Sequence, residues 1–293
     1  MRYFERFSRS QFRYSIILFV CFLFFYCFYF KKSGSRLPEF DAQRAKIIPA
    51  PSPPAKYPYI AAIVEFRSSH LLVSVILNIL QHIPSSWPIQ IFHGKSNYLF
   101  LKNSPSLAPY ISSKRILLTQ LQNEFTEDFI RNTNRLFTNI SFWKQVQGDK
   151  VLFFQSDSVM CSNSPHKITD YLDYDYIGAP WDVKSCCGSR EAPVGNGGFS
   201  FRNRIKTIQL LQITQWTDEN DPIPEDLWFA INFRRYLNAS IPPVDIAKTF
   251  AVESIFYSQP MAAHKLLLSY RNRRRLYKTC PEARLIPPYF FLF

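Results

Sequence analysis

Short apolar runs of strand length, set apart by stretches of helical period, constrain this chain more than any other feature. They are IAAIV within residues 59–65, IQIF within 88–93, ILL within 115–119 and VLFF within 150–155. Between the first two, residues 70–82 place Leu71, Val75 and Ile79 on one helical face, and a longer helix is predicted over 127–146. Runs that are apolar at consecutive positions suit strands covered on both faces, which parallel strands are. The alternation predicts an α/β fold with a mostly parallel sheet and helices flanking it. The order β-α-β-β-α-β is a half-Rossmann beginning, which holds nucleotides at the C-terminal edge of its strands. No Gly-x-Gly-x-x-Gly follows the first run, which argues against a dinucleotide enzyme.

Ahead of this domain lies SIILFVCFLFFYCFYF, residues 15–30, which carries no charge. As a helix it would span roughly 24 Å, and flanking tyrosines with Lys31 and Lys32 at its end extend the usable length. It ends in Tyr-Phe-Lys-Lys and not in a small-residue cleavage site, so the expectation is a retained signal-anchor. Residues 1–14 then form a cytosolic tail. Residues 31–56, with Pro49, Pro51, Pro53 and Pro54, form a stiff stem. Residues 57–293 are left as one luminal domain, long enough to bury a core.

Flanking charge orients the anchor only weakly, so content decides the side. Asn139 and Asn238 each open a glycosylation sequon, and Cys161, Cys186, Cys187 and Cys280 lie beyond the anchor. Both features suit a secretory lumen. The cysteines permit two disulfides in three connectivities, with adjacent Cys186 and Cys187 poorly placed to bridge each other. The expected location is therefore the Golgi or endoplasmic reticulum, as a type II single-pass protein. The formal charge is +13, but the cations are spread along the chain apart from Arg271-Asn272-Arg273-Arg274-Arg275, and no nucleic-acid motif accompanies them. Nucleic acid is not an expected partner. A basic surface would attract sugar nucleotides, acidic glycans or lipid headgroups.

Candidate chemistry gathers in four places. Gln155-Ser156-Asp157-Ser158 follows the fourth apolar run, at the edge where open sheets bind ligands. Asp157 there can hold Mg²⁺ or Mn²⁺ against a diphosphate, or can simply cap a turn. Asn196-Gly197-Gly198 lets backbone approach a ligand and offers a donor and an acceptor to sugar hydroxyls, or forms a tight loop before the helix that Ile205, Ile208 and Leu211 predict. Glu225 and Asp226 sit where a helix starts, as dipole partners or as a general base for an acceptor hydroxyl. His264 and Lys265 offer a metal ligand and a phosphate partner.

In order, Phe142-Trp143, KVLFFQSDSVMC, DYDYIGAPW, VGNGGFSFR, PEDLWF, FAVE and His264-Lys265 resemble the DUF5672 family, whose members look like GT-A glycosyltransferases. The resemblance runs from about Ile60 to Lys265. It implies a nucleotide-sugar donor, a glycan or protein acceptor, and Mn²⁺ or Mg²⁺ held by an Asp-x-Asp motif. In this chain the first acid of that motif is Gln155, leaving Asp157 as its one carboxylate. It also implies that Gln155, Asp157, Ser158, Asn196, Gly197, Gly198 and Lys265 line the donor or acceptor. Asp157 and His264 would hold metal, and Glu225 or Asp226 would act in catalysis. The alternative is an inactive transferase fold that binds glycan or protein in the lumen.

Overall fold

All the apolar runs form strands of one sheet: β1 (Tyr57–Val64), β2 (Ile89–His93), β3 (Ile116–Gln120) and β4 (Gly148–Phe154). The structure is a computed structural model that describes residues 54–121, 129–184, 188–217 and 223–287. The expected anchor at 15–30, nearly all of the stem, and Cys186 and Cys187 lie outside the described residues. Among those described, no helix is long and apolar enough to cross a membrane.

β1 pairs in parallel with β2 and β4, and β2 in parallel with β3. Burial on both faces explains the uninterrupted apolar sequence of β1. Ala61 and Ile63 point to one core with Leu72, Val75, Ile76 and Ile79 of α1 (His70–His82). Ile60, Ala62 and Val64 point to the other, with Phe142, Trp143, Trp228 and Phe229. Phe142-Trp143, part of the family pattern, is thus a core element, and Trp143 donates its indole N–H to the Phe137 carbonyl at 2.6 Å.

Several expectations need correction. β2 and β3 are not consecutive strands: α2 (Tyr98–Lys102) and α3 (Ala108–Ser112) lie between them, because a parallel pair needs a crossover that a short turn cannot make. The predicted helix over 127–146 is broken into α4 (Phe129–Phe137) and α5 (Ile140–Gln145). Asn139 interrupts it with extended backbone and caps α5 through its side-chain oxygen, which accepts from Ser141 N at 2.8 Å. The segment after the glycine cluster, read as loop leading into helix, contains a strand. β7 (Phe199–Asn203) pairs antiparallel with β4 and with β6 (Tyr176–Gly178), completing the order β3-β2-β1-β4-β7-β6. The predicted helix follows as α6 (Arg204–Ile213), and Pro224 then opens α7 (Glu225–Leu237).

A second, small sheet sits beyond the C-terminal end of β4. It comprises β5 (Ser158–Met160), β8 (Ala251–Val252) and β9 (Ala262–His264), in the order β5-β9-β8. α8 (Val244–Phe250) leads into β8, and α9 (Tyr270–Thr279) follows β9. A disulfide joins Cys161, just past β5, to Cys280, just past α9. It closes a sequence separation of 119 residues, and loops of that order are worth about 4 to 5 kcal/mol in the chain-entropy account.

Candidate functional site

The small sheet brings together residues that are far apart in the chain. Ser158 pairs with His264 across the antiparallel β5–β9 ladder, so Asp157 stands beside the end of β9. β8 runs parallel to β9 with Val252 opposite Ala263, so the next residue, Glu253, comes level with His264. Strand register alone therefore puts Asp157, His264 and Glu253 at one end of the sheet. β4 and β7 meet it there, since Phe154 pairs with Phe199, which makes Gln155 and Gly198 neighbours on the same edge.

His264 is the hub, and its side chain is 1% exposed. Its Nε2 lies 3.1 Å from Gln155 Oε1 and 3.4 Å from Asp157 Oδ1, and its Nδ1 lies 3.4 Å from Glu253 Oε1. Nδ1 is close enough for an ion pair with Glu253 yet lacks hydrogen-bond geometry to it. Burial would lower the His264 pKa, but the two carboxylates outweigh it and raise it to about 9. Asp157 moves the opposite way. Burial would raise its carboxyl, while the hydrogen bond and charge of His264, with Lys265, hold it down at about 2.

The glycine cluster is shaped by this hub. A side chain on Gly198 would put a carbon 2.1 Å from the His264 ring, so the imidazole and the Gly198 backbone lie in direct contact. Gly197 is held less tightly, with Arg202, Glu225 and Asp226 side-chain atoms 2.9–3.0 Å from where a Cβ would lie. Of the cluster only Gly195 has positive φ, at 136°. The glycines at 197 and 198 are therefore required by close approach within the protein, where the sequence suggested approach to a ligand. Asn196 is also committed: its amide donates to Glu253 Oε2 at 2.8 Å, and its carbonyl accepts from Gly198 N at 3.1 Å. Gly197 N donates to Asp226 Oδ2 at 2.9 Å.

Ser158 serves the turn: its hydroxyl donates to the Gln155 carbonyl at 2.7 Å and accepts from Gln155 N at 3.2 Å. Lys265 has left-handed backbone with φ 53°, and so does Leu266 with φ 49°. Lys265 N donates to the Asp157 carbonyl at 3.2 Å, tying the strained pair to the acidic turn. Such conformations cost on the order of 1 to 3 kcal/mol each and concentrate where a ligand is held.

The structure separates Glu225 from Asp226. Both oxygens of Glu225 engage Arg202, at 3.0 and 3.2 Å, and neither partner's side chain is more than 7% exposed. The Arg202 guanidinium lies 5.1–5.7 Å from the ring centroids of Phe137, Phe153, Tyr176 and Phe229. Burial works against both charges, lowering Arg202 and raising Glu225; for Arg202 the attraction of Glu225 prevails and its pKa is raised. A bidentate contact under four rings is the arrangement of an ionised pair. Glu225, expected as a candidate base, is thereby a structural residue. Asp226 remains partly exposed beside the glycine cluster, and burial raises its carboxyl.

Sequence reasoning named Glu253 without giving it a role and missed Arg67 and Arg202. Arg67 doubly contacts the buried Glu65 at 2.8 and 2.7 Å, donates to Ser156 Oγ at 3.1 Å, and keeps its side chain 71% exposed. A charged Glu-Phe-Arg immediately after the apolar β1 was its available signal. Arg202 sits in a strand that is buried from Phe199 to Arg202, where a lone cation announces a buried partner. Of the two sequons, Asn238 is exposed with left-handed backbone at the end of α7, whereas Asn139 is partly buried and serves as a cap.

Residues 115–265, just over half of the chain, match the family described as protein of unknown function (DUF5672). The chain belongs to the DUF5672 family. No curated protein matches it. Among solved structures, the apo-form glycosyltransferase GlyE of Streptococcus pneumoniae aligns at 13% identity and TM-score 0.47, covering 72% of this chain and 55% of that one. Residues 1–349 of S. aureus TarS align at 14% identity and TM-score 0.41, covering 63% and 57%. The bifunctional glycosyltransferase WbbM aligns at 15% identity and TM-score 0.41, covering 82% and 46%. The DUF5672 chain thus spans about half the length of the solved structures it matches, and likeness at this level says nothing of activity.

Proposed function

We propose that this DUF5672 protein has a GT-A-like domain that transfers a sugar from a nucleotide-sugar donor to a glycan or protein acceptor. The observation that carries the reading is the convergence of Gln155, Asp157 and His264 at the C-terminal edge of the parallel strands. Gln155 Oε1 and Asp157 Oδ1 both face His264 Nε2, and once Nε2 gives up its proton this mixed oxygen and imidazole set would suit Mn²⁺. Among the described residues no group of three or more His, Cys, Asp or Glu is placed to hold a metal ion by itself. Asp157 and His264, with Gln155, would therefore supply part of the shell and the donor's diphosphate the rest.

A cation held there would neutralise the diphosphate as the sugar–phosphate bond breaks. Lys265 would add a positive charge on the same side, and Arg67, at the end of β1, is exposed toward solvent for a donor's phosphate or base. Asp226, with its carboxyl raised by burial, would take the proton of the acceptor hydroxyl. Glu253 and Asn196 would position His264 and the glycine cluster.

A luminal type II placement belongs to the same proposal. The Cys161–Cys280 disulfide supports an oxidising compartment, and the exposed Asn238 sequon suits glycosylation.

The test is thermal stabilisation of the purified full chain by nucleoside diphosphates with Mn²⁺. A rise in Tm that needs both components and is lost in Asp157→Ala supports transfer. One observation favours a second reading, an inactive binding module: Gln155 is neutral and already bonded to His264. Absence of a shift with every nucleotide tried would select that reading.

A further inference from the structure

The basic run at 271–275 plays no part in the site described above, and the structure gives it a shape. Arg271, Arg274, Arg275 and Lys278 recur at helical spacing along one side of α9. Arg284, from the 3₁₀ turn Pro281–Leu285, joins them around a cavity of about 560 Å³, with Tyr270 and Tyr277 at its walls. A second cavity, of about 290 Å³, shares Tyr277 and Arg284 with the first and reaches Lys265 and Leu266, next to His264. The two cavities share a wall, and basic residues line both, a track from α9 as far as Lys265 beside the candidate site.

No carboxylate lines either cavity. Among the described residues, Arg271, Arg274, Arg275, Lys278 and Arg284 have no carboxylate ion pair. Three of these guanidiniums lie over rings instead: Arg274 over Tyr270, Arg275 over Phe256 and Arg284 over Tyr277. Like charges at this spacing weaken a helix unless an anion meets them. The track is also fixed relative to the site. The Cys161–Cys280 disulfide ties the end of α9 to the strand that begins after Asp157, and Ser162 hydrogen-bonds Glu282 in the adjoining turn.

We propose that this track binds an anionic glycan, a chain bearing carboxylate or sulfate groups, and presents its end to the site as acceptor. The acceptor assignment rests on the transfer reading; the binding of the chain does not. A groove suits a linear polymer, its cations suit repeated acidic groups, and Tyr270, 69% exposed, offers a face for a sugar ring. A bilayer would call for exposed apolar residues in the same face, whereas Leu266 and Ile286 at the second cavity are buried and the exposed Leu267 and Leu285 line neither cavity.

The experiment measures binding of the full chain to heparin (sulfated), hyaluronan (carboxylated only) and neutral dextran, alongside phosphatidylserine vesicles. The triple variant Arg271→Gln, Arg274→Gln, Lys278→Gln is compared with a control, Lys102→Gln, Lys114→Gln, which removes exposed cations elsewhere. Expected is salt-sensitive binding to one or both acidic glycans, no binding to dextran, at least a tenfold loss in the triple variant and none in the control. Preference between heparin and hyaluronan assigns sulfate or carboxylate. Equal loss in both variants, or binding to the vesicles alone, overturns the proposal. The Mn²⁺–nucleotide shift is read on the same samples. If it is absent while glycan binding is lost only in the triple variant, the groove stands and transfer fails. If it is present without glycan binding, the groove proposal fails alone.

Discussion

Two clusters of buried charge lie close together in this protein, and they are built differently. In the Arg202–Glu225 pair, both carboxylate oxygens are bonded, four rings surround the guanidinium, and almost nothing is exposed. Around His264 the contacts are longer, Nδ1 lacks a hydrogen bond, and the Asp157 side chain is 20% exposed. Two successive left-handed residues border the second cluster, whereas the first lies between a regular strand and a helix start. Closed geometry marks a group whose interactions are complete, and open geometry marks one with capacity left for a ligand. A buried carboxylate is therefore informative about function only once its partners are known, as Glu225 and Asp157 show.

The comparison can be broken at several points. The largest effect belongs to the closed pair: Glu225→Ala leaves Arg202 charged and buried, and should cost about 3 to 5 kcal/mol in urea unfolding. A cost under about 1 kcal/mol would mean that Arg202 finds solvent or another partner. Next comes Gly198→Ala, which drives a carbon into the His264 ring; overpacking of this kind costs about 1 to 3 kcal/mol, and the Mn²⁺–nucleotide shift should vanish with it. An unchanged Tm and ligand response would show that the ring yields freely.

A third expectation concerns acid. Burial would raise the Asp175 carboxyl, but Lys206, Asn203 and the Ser240 amide hold it below its usual value of 3.8. A depressed carboxyl binds fewer protons when folded than when unfolded. Its contribution is thus complete above about pH 4 and lost as pH falls through the depressed value. Unfolding at pH 2–5 should show a shallower loss of stability for Asp175→Asn than for the wild-type chain; parallel curves would remove Asp175 from the acid response. A fourth expectation concerns Asp157→Asn, which removes one of the two carboxylates facing His264. It should lower the ligand-free Tm at neutral pH by less than Glu225→Ala does, since Glu253 still faces the ring, and it should abolish the Mn²⁺-dependent shift. A nucleotide response that survives the substitution would take Asp157 out of the site.

The main strands were readable because burial on both faces leaves a mark at every position: IAAIV and VLFF have no polar alternation to confuse. α1 was readable over its whole length, 70–82, from its apolar spacing. The helix over 127–146 was misread because Asn139 can either continue a helix or cap one, and only the packing around Phe142 and Trp143 selects the cap. β7 was missed because the glycines before it signal a loop so strongly that a strand beginning at Phe199 is masked.

At the site, sequence by itself determined the residue types and their order: an acid after the fourth run, a glycine cluster, an acidic helix start, and a His-Lys near position 264. It could not determine which of them meet. That Asp157, Glu253 and His264 share one end of a sheet follows from β5–β9–β8 register, which joins β5 to two strands about a hundred residues further along the chain. That Glu225 is spent on Arg202 while Asp226 meets only the backbone amides of Gly197 and Leu227 depends on which side of α7 faces β7. Local pattern is fixed by neighbours in the chain, but the partner of a charge is fixed by neighbours in space, and only the tertiary structure supplies those.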